Sequence, residues 1–298
     1  MVIFTIVVTY NGKQWYNRCF NSLLNSPINN QIIVVDNASS DDTVAYIKKN
    51  FPQIYVIESK ANLGFAKANN IGIKYALDHG ADYVFLLNQD AWVEENTLAE
   101  LIHTFEDNHC VGIASPIHLN GSYSAIDQRF CDCLPNNFIS DLYLQTTKKY
   151  YPTEFVNAAA WLISASCIRK IGGFDTSLFI HCGEDNNYCQ RLQYHHLQLI
   201  INTHCTICHD REKRNPLDDE NRKQWEEIIR QEAIAERWSD INIPFQMDSI
   251  IRHYKFETFL SLITLQTAKV KRQKEFAEIC KKVAISRKKN MTEGLNWL

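Results

Sequence analysis

Residues 2–9, Val-Ile-Phe-Thr-Ile-Val-Val-Thr, form an unbroken apolar and mostly β-branched run that ends in Thr9-Tyr10-Asn11-Gly12. A run this short and this uniform reads as a strand covered on both faces, the habit of parallel sheets. The unit recurs at 31–36, 54–58, 83–87 and 111–115. Between these runs the apolar spacing becomes helical, as in Trp15, Cys19, Leu23 and Leu24. Ser39-Ser40-Asp41-Asp42 opens a second helix, 65–79 reads as a third that stops at Gly80, and 94–108 as a fourth. This alternation predicts an α/β fold with a doubly wound, mostly parallel sheet over residues 1–115.

Further on the pattern changes. Residues 116–153 hold Pro, Asn, Ser and several Tyr and read as a long connection. Pattern returns as a strand at 155–164, a short helix at 165–171, a helix at 184–194 and a strand at 197–201. Residues 116–212 are therefore expected to complete the same domain. Residues 213–298 are expected to form a helical C-terminal extension, with helices at 218–238 and 247–289.

The chain has 298 residues and a net charge of −3, so it can bury a sizeable core and makes no general case for nucleic acid. Its charge is uneven. Residues 251–290 carry 11 Lys+Arg against 3 Asp+Glu, leaving −11 for the remainder. Such a tail suggests a partner of its own, and its apolar neighbours Phe256, Phe259, Leu260, Leu262 and Ile263 point to an anionic membrane surface. Met1–Tyr10 lacks the basic start and the cleavage site of a secretory leader. The ten cysteines are therefore expected to be reduced, and the protein cytoplasmic, with possible placement at the inner face of the cell membrane. No apolar run approaches the ~18 residues of a membrane span. Cys205 and Cys208 are three apart in an extended segment, so they point to opposite faces and do not pair on a zinc ion.

In an open α/β sheet, ligands sit beyond the carboxyl ends of the strands. Those ends supply Thr9-Tyr10-Asn11, Asp36-Asn37-Ala38-Ser39 and Asn88-Gln89-Asp90. No glycine-rich phosphate loop is present. Phosphate charge would have to be neutralised otherwise, and a carboxylate-held divalent cation is the evident substitute.

The segments IVVTYNG (6–12), IIVVDNASSDDT (32–43), NLGFAKANNIGI (62–73) and FLLNQDAW (85–92) occur in the order and spacing of family 2 glycosyltransferases of GT-A fold. FVNAAAWLIS (155–164), IRKIGGFD (168–175) and FIHCGEDNNYCQRL (179–192) resemble the acceptor-side signature of that family. The resemblance covers roughly residues 2–210 and is strongest toward rhamnosyltransferases of bacterial surface polysaccharide assembly. It implies a metal-assisted, inverting transfer from a dTDP- or UDP-sugar to a glycan or lipid-linked glycan.

The resemblance also implies roles. Thr9, Tyr10, Asn11, Asp36, Asn62, Gly64, Lys67 and Asn88 would bind the sugar nucleotide, with Asp36 accepting the N3–H of the pyrimidine. Asp90 matches the last acid of the family's Asp-x-Asp motif and, with His209, would hold Mg²⁺ or Mn²⁺. Asn88 takes the first position of that motif as a neutral side chain. Asp185, with Glu184 beside it, matches the general base, and Trp161 is the candidate acceptor platform. A catalytically silent sugar-nucleotide-binding subunit is the alternative, since Asn88 and Asn187 stand where the family usually has acids.

Overall fold

A computed structural model of the chain describes residues 1–180, 182–213 and 219–298. Among these residues one nine-stranded sheet carries the fold. Its front half consists of β1 (Ile3–Thr9), β2 (Gln31–Asp36), β3 (Tyr55–Glu58) and β4 (Tyr83–Asn88), in the order β3-β2-β1-β4, all parallel. The helices α1 (Lys13–Leu24), α2 (Thr43–Asn50) and α3 (Gly64–Asp78) connect them.

The continuous apolar runs have the expected consequence. Phe4 and Ile6 face the layer containing α3, while Ile3 and Val7 face Tyr16, Phe20 and Leu23 of α1. α3 lies so close to the sheet that a Cβ on Gly72 would stand 2.6 Å from Cγ2 of Ile6. The register pairs Thr9 with Asp36 and Val8 with Asn88. The polar ends noted in the sequence therefore converge on one edge of the sheet.

Beyond β4 the sheet is mixed. β5 (Ala91–Val93), β6 (Val111–Asn120), β7 (Tyr150–Thr153), β8 (Ala160–Ser164) and β9 (Gln198–His209) continue it as β4-β8-β6-β9-β5, with β7 also on β9. β6 and β9 are parallel; β8 runs antiparallel to β4 and β6, as do β5 and β7 to β9. The α/β class stands, with the parallel character concentrated in the front half.

Several boundaries move. β6 passes Ser115 because Pro116 is absorbed at a register shift between Pro116 and Ile117. The same shift lets β9 continue beyond Ile201 to His209. The expected strand at 155–164 is only β8, and β7 precedes it as a separate piece. Residues 116–153 also contain two short helices, α5 (Gln128–Cys131) and α6 (Phe138–Tyr143). α4 (Thr97–Asp107), α7 (Ala165–Ile171) and α8 (Glu184–Tyr194) lie near their expected positions. Cys205 joins the core cluster with Ile207, while Cys208 packs with Trp15 and Trp92, so the two thiols do face opposite ways.

The C-terminal extension holds α9 (Asp219–Ser239), α10 (Met247–Ile263) and α11 (Thr267–Asn290). The long helix expected over 247–289 is broken at Leu265, whose φ of 57° lies in the left-handed region. The expected start of the preceding helix, Asp218, lies outside the described residues, as does His181 of the acceptor-side signature. Arg287 donates to the carbonyls of Trp238, Asp240 and Ile243. Ser286 and Asn290 both donate to the buried carboxylate of Asp175. The amide of Gly173 donates to the Asn296 carbonyl at 2.8 Å, and Asn70 Nδ2 to that of Trp297 at 3.1 Å. These bonds bind the extension into the core. No helix among the described residues is long and apolar enough to cross a membrane.

Candidate active site

The first group sits at the ends of β1 and β2. Asp36 is buried, and its Oδ1 accepts from Thr9 Oγ1 (3.0 Å) and Ser39 Oγ (2.6 Å) while Oδ2 accepts from the Ser39 amide (3.0 Å). The side chain of Asp36 does not cap α2, whose N-cap is Asp42. Asn11 adopts φ 46°, and its Oδ1 accepts the Ser40 amide at 2.9 Å, tying the β1 end to the β2 end. Tyr10 is exposed, and its backbone is bracketed by Gln89, which accepts from its amide and donates to its carbonyl.

Asn62 and Gly64 are latched to the same edge. Asn62 Oδ1 accepts from Asn37 Nδ2 at 2.9 Å, and Asn37 Oδ1 accepts the Leu63 amide at 2.7 Å. Gly64 has φ 77°, and any Cβ there would run into the Ile180 carbonyl. That carbonyl instead accepts the Phe65 amide at 3.1 Å. Lys67 stands exposed in the first turn of α3.

The second group forms where β5 pairs with the end of β9. Ala91 registers with His209, which brings His209 beside Asp90. His209 Nε2 lies 3.3 Å from Asp90 Oδ1 and 3.4 Å from Asn88 Nδ2, with Asp90 only 3% exposed and His209 1%.

The third group is the first turn of α8, entered through Gly183 at φ 82°. Asp185 accepts the Asn186 amide at 2.8 Å. Burial pushes its carboxyl up to about 6, a rise held in check by the Asn186 and Ala158 amides. Glu184 is pushed well above the usual carboxylate range, by burial first and by the Asp185 charge second. Its buried Oε2 has no hydrogen-bond partner among the described residues. α9 fastens this segment: Glu232 accepts the amides of Ile180 (2.6 Å) and Cys182 (2.9 Å), and Glu236 accepts Asn186 Nδ2.

One cavity of about 580 Å³ brings Asn88 together with the third group, whereas Thr9, Tyr10, Asn11, Asp36, Asn62, Gly64, Lys67, Asp90 and His209 do not line it. Asn88, Glu184 and Asp185 line it together with Arg129 and Arg211, and Phe65, Phe155, Trp225 and Ile229 supply apolar walls. Arg211 is anchored by Asp127 at 3.1 Å and by Asn157 at 3.2 Å. Carboxyl and guanidinium groups thus share one lining. Arg211, Trp225 and Ile229 were missed in the sequence, since one helix-face aromatic and one arginine after a strand carry no local signal. Trp161 requires correction. It is fully buried, stacked on Phe174 at 6.2 Å and tilted against Tyr188 at 5.8 Å, and offers no face to an acceptor. Its position in β8 alternates into the core, which a run of five apolar residues did not reveal.

The profile of glycosyl transferase family 2 matches residues 5–171, more than half of the chain. The chain belongs to that family. Among curated relatives of this family 2 member, a dTDP-rhamnosyl transferase of Shigella flexneri, RfbF, is 27% identical over 205 residues, covering 67% of this chain and 66% of that one. The hexosyltransferase Agl10 of Haloferax volcanii is 24% identical over 204 residues, covering 65% and 62%. The match thus spans slightly less than two thirds of either relative's own length. Among solved structures, GalNAc-T7 with UDP, GalNAc and Mn²⁺ superposes with a TM-score of 0.59 at 17% identity, covering 70% of this chain and 44% of that one. S. aureus TarS 1–349 with UDP-GlcNAc gives 0.57 at 14% identity, covering 98% and 88%. These likenesses establish the GT-A fold of the chain.

Proposed function

We propose that the chain is an inverting glycosyltransferase that moves a sugar from a dTDP- or UDP-sugar to a glycan or lipid-linked glycan. The observation that carries this reading is that Asn88 and Asp185 line one cavity, with the Asp90–His209 pair directly behind Asn88. The names of the relatives support a nucleotide-sugar donor, since RfbF is a dTDP-rhamnosyl transferase and TarS was solved with UDP-GlcNAc. A lipid-linked acceptor would be met in the cytoplasm, at the inner face of the cell membrane.

Three of the hydrogen-bond sites on Asp36 are filled from within the chain, and a carboxylate offers about four. The remaining one suits the N3–H of a uracil or thymine ring. Thr9, Tyr10, Asn11, Asn62, Gly64 and Lys67 then border the base, ribose and diphosphate.

Asp90 Oδ1 and His209 Nε2 are 3.3 Å apart, close to the ~3.0 Å between adjacent ligands of an octahedral ion with ~2.1 Å bonds. A Mg²⁺-type ion needs only one or two protein ligands when substrate phosphates complete its shell, so this small donor set fits. Bound there, Mg²⁺ or Mn²⁺ would neutralise charge on the leaving diphosphate. Arg211, on the same cavity, adds a positive charge from the protein.

Asp185 then takes the proton of the acceptor hydroxyl as the new bond to the anomeric carbon forms and the bond to diphosphate breaks on the opposite face. With its pKa near 6 it is ionised at neutral pH yet more basic than an ordinary aspartate. Glu184 beside it is pushed above the usual carboxylate range by burial and by the Asp185 charge. The test is release of nucleoside diphosphate from UDP- and dTDP-sugars by the purified protein, with and without Mn²⁺, alongside thermal shift. Absence of both release and stabilisation defeats the proposal. Stabilisation without release, with or without an acceptor, leaves the silent binding subunit as the better reading.

A further inference from the structure

Among the described residues, the helical extension has one face that is exposed. α10 packs against α11 and is otherwise largely free. Its C-terminal half and the turn beyond it present Phe256, Phe259, Leu260, Leu262, Ile263 and Leu265 to solvent, with Leu265 85% and Ile263 64% exposed. A contiguous apolar patch of large side chains on a folded protein marks an interaction surface. These residues do not spread around a buried seam; they gather at the tip of the hairpin, where the left-handed Leu265 reverses the chain.

Charge decides what fits there. Residues 252–274 hold six Lys/Arg against a single Glu, and that Glu257 is already paired with Lys269 at 3.2 Å. Lys271 and Arg272 follow in the first turns of α11 and are exposed. A second copy of the same tip would bring like charges together. An anionic surface with an apolar interior meets both the basic collar and the apolar tip.

We propose that the α10–α11 tip inserts its apolar residues into the headgroup boundary of an anionic membrane, with Lys255, Lys269, Lys271, Arg272 and Lys274 on the phosphates. The proposal rests on the reading of the acceptor as lipid-linked only for its purpose, not for its geometry. Trp225 and Ile229, which line the cavity, belong to α9, and α9 packs on α11. One packed extension thus links the cavity lining to the tip.

Flotation of the full chain with phosphatidylcholine vesicles, with and without phosphatidylglycerol, tests this. The chain should float only with phosphatidylglycerol, and less so in high salt. The double variant Phe259→Asp/Leu262→Asp changes two exposed positions, so folding is not at stake, and should lower the bound fraction about tenfold or more. Light scattering of both proteins is measured in parallel. No flotation of the native chain, or equal flotation of the variant, overturns the proposal. A native dimer that the variant converts to monomer, without vesicle binding, overturns it in favour of self-association. Donor hydrolysis in vesicle-free buffer should be equal in both proteins. Its absence in both would count against the transferase reading alone.

Discussion

His209 Nε2 stands 3.3 Å from Asp90 Oδ1, because Asp90 precedes β5, His209 ends β9, and these two strands pair. Asp90→Asn removes the negative charge and keeps the shape. Transfer should fall by about 10²-fold or more, since several kcal/mol of charge stabilisation are lost. The rise in melting temperature on adding Mn²⁺ with UDP should vanish as well. An unchanged cation-dependent shift would exclude Asp90 as a ligand.

The pH dependence follows from Asp185. Its folded pKa is raised to about 6, so kcat/KM should decline as pH falls through about 6. The stability effect has the opposite sense. The folded state holds this proton more tightly than the unfolded chain, so stability contributed at low pH is lost as pH rises from the ordinary aspartate range through about 6. Asp185→Asn should therefore cut transfer ~10²–10⁴-fold. It should also melt higher relative to the native chain at pH 8 than at pH 5. A difference in melting temperature that is the same at both pH values would count against the raised carboxyl of Asp185.

Trp225 is the aromatic wall of the cavity that comes from the extension. Trp225→Ala should raise the acceptor KM about 3–10-fold through lost stacking, leaving donor hydrolysis near its native rate. Equal loss in both assays would assign Trp225 to support of α9 instead.

Arg287 donates to three backbone carbonyls that link α11 to the segment after α9. Charged hydrogen bonds of this kind contribute about 1.5–3 kcal/mol each, part of which water recovers when the side chain is removed. Arg287→Ala should lower the melting temperature by several degrees, roughly 2–4 °C per kcal/mol. A change within one degree would show that the extension is not held there.

The polar edge of the sheet was legible because each strand is an uninterrupted apolar run and its polar end follows at once. Thr9, Asp36 and Asn88 could be placed side by side from that pattern alone. The proposed base was legible only through the Glu184-Asp185 pair and its resemblance. The aromatic lining of the cavity was not legible. Trp161 and Trp225 are both aromatic residues near apolar neighbours, and only tertiary packing sends one into the core and the other to the cavity. Likewise the Pro116 break hid the length of β6, because a proline normally ends a run, whereas here the irregular register accommodates it.

The attachment of α9 to the loop before α8 has a consequence for biogenesis. As the polypeptide leaves the ribosome, the β1–β4 edge can form from neighbouring segments, whereas the carboxyl groups that hold Ile180, Cys182 and Asn186 arrive only with Glu232 and Glu236. A nascent chain ending before them would hold the sheet edge without the bonds that fix the first turn of α8, so that turn settles only once α9 has emerged.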